Sequence, residues 1–112
     1  MPRSSTYRNH DERRAARHYR LRGYRILGAN VWAGGYELDL IVRRGRTLAF
    51  VEVKGKSGSG YGDPLEMVNV EKLRRLRRAA ETWLAGHPEC RDLDCRFEVV
   101  AVRVRALERV TV

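Results

Sequence analysis

No apolar run in this 112-residue chain approaches the roughly 20 residues that a membrane-crossing helix needs. The opening MPRSSTYRNHDERR is basic and lacks the apolar segment of a secretory leader, so a cytoplasmic protein with no membrane partner is expected. Cysteine is scarce. Cys90 and Cys95 are expected to be reduced, and with four intervening residues and no second ligand pair they argue against a zinc site. His10, His18 and His87 sit in separate segments without metal-motif spacing, and each is read as a surface residue. Acid is the minority charge: 14 Asp plus Glu stand against 23 Lys plus Arg, giving a formal net charge of +9. Lysine is rarer still, at Lys54, Lys56 and Lys72 only, so the positive charge is almost all arginine. Such an excess attracts polyanions, nucleic acid first; a ribosome or an anionic membrane surface fits the same charge, and charge alone does not choose. With 43% hydrophobic and 33% charged residues the chain can build one core, and it is too short for two domains.

What is present is organised around ELDLIVRRGRTLAFVEVK, Glu37 to Lys54. Runs of Leu, Ile, Val and Phe on either side of Gly45-Arg46 read as two strands joined by a two-residue turn. That register sets Arg44 opposite Thr47, Ile41 opposite Phe50, Asp39 opposite Glu52 and Glu37 opposite Lys54; a bulged three-residue loop would shift it by one. Alternation then puts Leu38, Leu40, Val42, Ala49, Val51 and Val53 on one face. The other face carries Glu37, Asp39, Glu52 and Lys54, with Ile41 and Phe50 beneath them. Opposed carboxylates repel, and a divalent cation would offset that. A lysine beside such an ion could position water for attack on phosphorus. The plainer alternative is a surface ion pair between Glu37 and Lys54 beside two solvated acids.

Around this hairpin, residues 1–10 read as a flexible basic arm and 11–112 as a single domain. A helix is expected from about Arg8 to Arg22, ended by Gly23, with Ala15, Ala16 and Tyr19 inward. Glu12 shares their face, either as first-turn charge for the helix dipole or as a third acid aimed at the sheet. Tyr24 to Trp32 reads as a strand, bulged at Gly28. The GKSGSGYGD segment, 55–63, reads as a mobile loop that could close over a phosphate or simply connect. It lacks the Lys and Ser/Thr placement of a P-loop. After a short turn from Asp63-Pro64, Asn69 caps a helix over Val70 to about Ala85, with Val70, Leu73, Leu76, Ala80, Trp83 and Leu84 inward. Lys72, Arg74, Arg75, Arg77 and Arg78 crowd the rest, either as a solvated face or as a phosphate-contacting one. Residues 89–95 read as a polar loop. Arg96–Arg105 reads as a strand with Phe97, Val99, Ala101 and Val104 apolar, and Leu107–Val112 as an edge strand.

The order helix, three strands, helix, strand, together with Glu12, Asp39 and Glu52-Val53-Lys54, resembles the restriction-endonuclease-like nuclease superfamily. Within it, residues 11 to 104 resemble the YraN family of small bacterial proteins, which are similar to Holliday-junction resolvases. The marks are Glu12 with Ala15-Ala16, Gly23-Tyr24-Arg25-Ile26-Leu27, Glu37-Leu38-Asp39-Leu40-Ile41 and Phe50-Val51-Glu52-Val53-Lys54. Further on come Gly62-Asp63-Pro64, Lys72 with Arg74-Arg75, and Phe97-Glu98-Val99-Val100-Ala101-Val102. Asp11 and Tyr36 stand where the family usually has glycine, and Leu73 where it usually has glutamine. The resemblance implies an α/β fold with a mixed central sheet flanked by helices, a Mg²⁺- or Mn²⁺-dependent site and DNA as substrate. Asp39, Glu52 and the Val53 carbonyl would hold the metal, with Glu12 joining them, Lys54 would orient water, and Glu37 is an additional candidate. Lys56, Lys72, Arg74, Arg75 and Arg78 would contact the nucleic acid. The expected activity is endonucleolytic phosphodiester hydrolysis on branched or recombining DNA, by a homodimer if two strands are cut symmetrically. The alternative is a non-catalytic nucleic-acid-binding module on the same fold.

Overall fold

A computed structural model describes residues 10–55, 69–103 and 106–112. The basic arm to residue 9, Lys56 and the loop after it, the turn at Asp63-Pro64, and Val104 lie outside the described residues. Helix α1 is His10–Leu21, followed by strands β1, Arg25–Ala33, β2, Tyr36–Arg44, and β3, Thr47–Gly55. Helix α2, Val70–Ala85, leads through a 3-10 turn at Pro88–Cys90 to β4, Asp94–Val102, and β5, Leu107–Thr111. The five strands lie in the sheet in chain order. Pairing is antiparallel except between β3 and β4, which run parallel because α2 makes the crossover between them.

Each helix covers one face. Glu12, Ala15, Ala16 and Tyr19 form the buried stripe of α1 at i, i+3, i+4 and i+7. The apolar members pack on Leu40, Val42, Ala49, Val51, Val100 and Val102. The helix stops in a Schellman turn: Tyr24 N–H reaches Tyr19 O and Gly23 N–H reaches Arg20 O, both at 3.0 Å. Gly23 takes φ +87°, which the turn requires and only glycine adopts readily. On the opposite face, Leu76, Ala79, Ala80 and Trp83 of α2 pack on Leu38, Ile41, Leu48, Phe50 and Cys90. Asn69 caps α2 as expected, its side chain accepting from Lys72 N–H at 2.8 Å.

Two expectations are corrected. Val70 is 75% exposed. At about 100° per residue, Leu76, Ala79, Ala80 and Trp83 fall within an arc of about 100°, and Val70 lies about 130° from its middle. Ala79 belongs to the stripe in its place. The second concerns Leu38, which was expected to share a face with Leu40. Ala29 and Leu40 are register partners and pack on the α1 side, whereas Val31 and Leu38, the next partners along, pack on the α2 side. A regular ladder would keep all four on one face. The reversal falls at the intervening pair, Asn30 and Asp39, where Asn30 takes φ +52°.

The β1–β2 turn, Gly34-Gly35, has φ of +58° and +78° and seats Gly34 against α2. A Cβ on Gly34 would lie 2.9 Å from Thr82 Oγ1, 3.2 Å from Arg78 O and 3.3 Å from Ala79 Cα, whereas one on Gly35 would meet nothing within 4 Å. Gly34→Ala should therefore cost about 2 kcal/mol more than Gly35→Ala, although both carry the same backbone strain. Equal melting temperatures for the two variants would contradict that seating.

One buried acid on β4 gathers partners from α1 and β5. Glu98 is 1% exposed. It accepts from Tyr19 Oη at 2.6 Å and Thr111 Oγ1 at 3.2 Å, and pairs with Arg109 Nε at 3.5 Å. The Arg109 guanidinium lies over the Tyr19 ring at 5.1 Å. Burial, then the bond to Glu98, pushes the Tyr19 phenol well above its usual pKa.

Candidate functional site

The β2–β3 hairpin forms in the expected register, Arg44 to Thr47 and Ile41 to Phe50, but regular pairing ends at Leu40 with Val51. Asp39 and Glu52 are therefore not a facing ladder pair. The strands part there, and Asp39 Oδ2 takes the Val53 N–H at 2.8 Å, so a side chain bridges where the backbone would have paired. The face reversal at Asp39 explains this, because it turns the carboxylate from the sheet face toward β3.

Glu52 is buried and heavily engaged. Lys54 Nζ lies 3.2 Å and Lys72 Nζ 3.7 Å from its Oε2, and Tyr36 Oη makes a long 3.4 Å contact to its Oε1. Burial and the charges of Glu52 and Asp39 push Tyr36 up to about 12. Glu12, 6% exposed, accepts from Asn30 Nδ2 at 2.9 Å, so the acid of α1 and the residue where β1 reverses are joined. Glu12 and Glu37 both act on Asp39. Burial first, then Glu52, and to a smaller extent Glu12 and Glu37, raise Asp39 to about 7 against the Val53 N–H bond, which lowers it.

The two lysines divide. Burial pulls Lys54 down, but hydrogen bonding with Lys72 and the nearer Glu52 charge leave it raised. Burial, then the bond to Lys54, lowers Lys72. The charge pattern of α2 groups Lys72 with the outer cations. The structure brings it to the acids, and the signal was its spacing: Lys72, Leu76, Ala79 and Trp83 fall at i, i+4, i+7 and i+11, the inward stripe of α2.

Among the described residues, no three His, Cys, Asp or Glu side chains come together to hold a metal ion. The set that does converge, Asp39 and Glu52, is all oxygen and suits a hard cation, which takes one or two carboxylates and completes its shell with water or phosphate. An Asp whose pKa is raised to about 7 by burial and then by neighbouring acids is what a divalent ion would relieve. A cavity of about 310 Å³ opens here, lined by Trp32, Gly35, Tyr36, Glu37, Asp39 and Glu52.

The expected nucleic-acid contacts scatter. Arg74 and Arg75 are exposed and both pair with Glu71, at 2.9 and 3.4 Å; such pairs are weak and open readily. Arg74, Arg77 and Arg78 line a groove of about 450 Å³ with Val70, Leu73 and Glu81. A second basic cleft, about 330 Å³, lies at the hairpin turn between Gly23, Arg25, Arg43, Arg44 and Gly45. It is not legible in the sequence, because Arg25 meets Arg43 only through the β1–β2 register. Arg44 is five residues along β2 from Asp39, about 17 Å.

An α/β fold with a five-stranded mixed sheet between two helices, its acids gathered where two neighbouring strands part, is compatible with the restriction-endonuclease-like architecture. The chain belongs to the uncharacterised protein family UPF0102, whose family model matches residues 11–102. It is 41% identical over 97 residues to a UPF0102 protein of Dechloromonas aromatica, covering 87% of this chain and 78% of that one. It is 46% identical over 88 residues to a UPF0102 protein of Frankia casuarinae, covering 79% and 74%. The UPF0102 protein YraN of Escherichia coli is 43% identical over 91 residues, covering 80% and 70%. No helix among the described residues is long and apolar enough to cross a membrane.

Proposed function

We propose that this protein is a Mg²⁺- or Mn²⁺-dependent endonuclease that hydrolyses phosphodiester bonds in DNA, with branched or recombining DNA as its substrate. The observation that carries the reading is the meeting of Asp39, Glu52, Lys54 and Lys72 where β2 and β3 part. Asp39, Glu52 and the Val53 carbonyl would hold the ion, with Glu12 and Glu37 adding negative charge around it. When bound, the ion supplies charge stabilisation at the reacting phosphate. Lys54 orients the attacking water and holds its proton near Glu52, while Lys72, on the facing helix, contacts the phosphate. Arg74, Arg75, Arg77 and Arg78 on one side, and Arg25, Arg43 and Arg44 on the other, hold the backbone through charge. Symmetric cutting of a junction would take two copies of the chain.

The test is a panel of labelled single-stranded, duplex, flap and four-way-junction DNAs with Mg²⁺ or Mn²⁺. Metal-dependent nicking is expected. Asp39→Ala and Lys54→Ala should each lower it at least about 100-fold while leaving DNA affinity within a few-fold. One feature favours a second reading, a binding module without catalysis: Glu52 already carries two ammonium contacts. That reading predicts salt-sensitive binding and no cut with either ion.

A further inference from the structure

Trp32 is 72% exposed, yet it lies in the wall of the acid cavity beside Tyr36, Glu37, Asp39 and Glu52. It is the register partner of Glu37, two residues from Asp39 along β2. The other tryptophan, Trp83, is 7% exposed and stacks on His87 with ring centroids 3.8 Å apart. A large indole left in water next to a group of carboxylates meets no packing need of the fold.

We infer that Trp32 is a stacking platform for an unpaired nucleobase whose adjoining phosphate lies at Asp39, Glu52 and Lys54. The inference rests on the nuclease reading and narrows it to substrates with a base out of the helix at the cut. In a continuous duplex each base face is covered by its neighbours, so an indole beside the scissile phosphate finds nothing to stack on. At a junction, flap or single strand a base is free to turn out and lie flat on it. The chemistry of the wall agrees. The carboxylates face the ion and phosphate, the cationic rims attract the polyanion, and the indole is the more exposed of the two aromatic rings, Trp32 and Tyr36, that line the cavity. Stacking is tolerant of base identity, so it selects strand structure over sequence.

The test needs no cleavage. In Trp83→Phe, Trp32 is the sole tryptophan. With Ca²⁺ in place of Mg²⁺ or Mn²⁺, a single-stranded oligothymidylate of about ten nucleotides should quench its emission, and a blunt duplex of equal length should do so much less. In the otherwise unchanged chain, Trp32→Ala should weaken single-strand binding about 5- to 100-fold by anisotropy of a labelled oligonucleotide. Duplex binding should change less than about twofold, and Trp32→Phe should recover part of the loss. The anisotropy arm stands even if Trp83→Phe folds poorly. Equal quenching by both DNAs, or a Trp32→Ala loss equal for both or absent from both, overturns the inference. So does self-association of the wild type that Trp32→Ala abolishes, since the indole would then face a second copy. If stacking holds and the wild type cuts nothing with either ion, the nuclease reading fails and the base site stands. If cutting holds without stacking, only the base site fails.

Discussion

In metal-free protein at pH 8, Asp39→Asn should melt higher than the wild type while losing metal-dependent nicking. Burial, Glu52, Glu12 and Glu37 raise the Asp39 carboxyl from an unfolded value of 3.8 to about 7. The sign follows from proton counting. Between these two values the folded state holds a proton that the unfolded chain has released, so the Asp39 contribution to stability falls as pH rises from about 4 to 7 and is flat above. Asn imitates the protonated side chain and its Oδ1 can still accept the Val53 N–H, so the variant escapes the fall. The difference should be small near pH 4 and reach on the order of 4 kcal/mol at pH 8, a shift of several degrees or more. Under the proposed function, Mg²⁺ or Mn²⁺ should raise the wild-type melting temperature more at pH 8 than at pH 5, because ion and proton compete for Asp39. The Asn variant should respond little. Melting curves across pH 4 to 8 decide the matter. A gap between the two proteins that does not change with pH would remove the crowding of acids from the account.

Glu98→Ala should be strongly destabilising, at about 2–4 kcal/mol by chemical denaturation. It strips the acceptor from the buried Tyr19 hydroxyl and leaves Arg109 without its counter-charge. Against the 5–15 kcal/mol typical of a domain, that is a large share. Glu98→Gln retains an acceptor for Tyr19 and a polar contact for Thr111, and should cost roughly half as much. Because Tyr19 and Glu98 share one bond, Tyr19→Phe and Glu98→Gln should combine for less than the total of their separate effects. A Glu98→Ala loss under about 1 kcal/mol would mean that the cluster contributes little to holding β5 against α1.

The two cases differ in how far local pattern reaches. The Asp39 site is half legible. Period-two runs on either side of Gly45-Arg46 define the hairpin and its register, and the acid, acid and lysine follow at set intervals. Glu12 is legible too, because it falls on the buried stripe of α1. The Glu98 cluster is not. Tyr19 and Glu98 are 79 positions apart, and nothing along the chain points from one to the other. In β4, alternation makes Glu98 a co-facial neighbour of Val100 and Val102, so it is buried by the strand's position, with α1 laid across it.

What the amino-acid order determined by itself is local: element type, helix caps, the hairpin register, and which charges lie on one strand or one helical stripe. These follow from backbone periodicity and turn chemistry, which act over a few residues. Tertiary structure decided the reversal at Asn30 and Asp39 that turns a carboxylate toward β3, the meeting of Lys72 on α2 with Glu52 on β3, and the pairing of Arg25 with Arg43. It also left Trp32 uncovered beside the acids. Those depend on how one strand twists against another and where a helix comes to rest, and no spacing rule within a single element contains either.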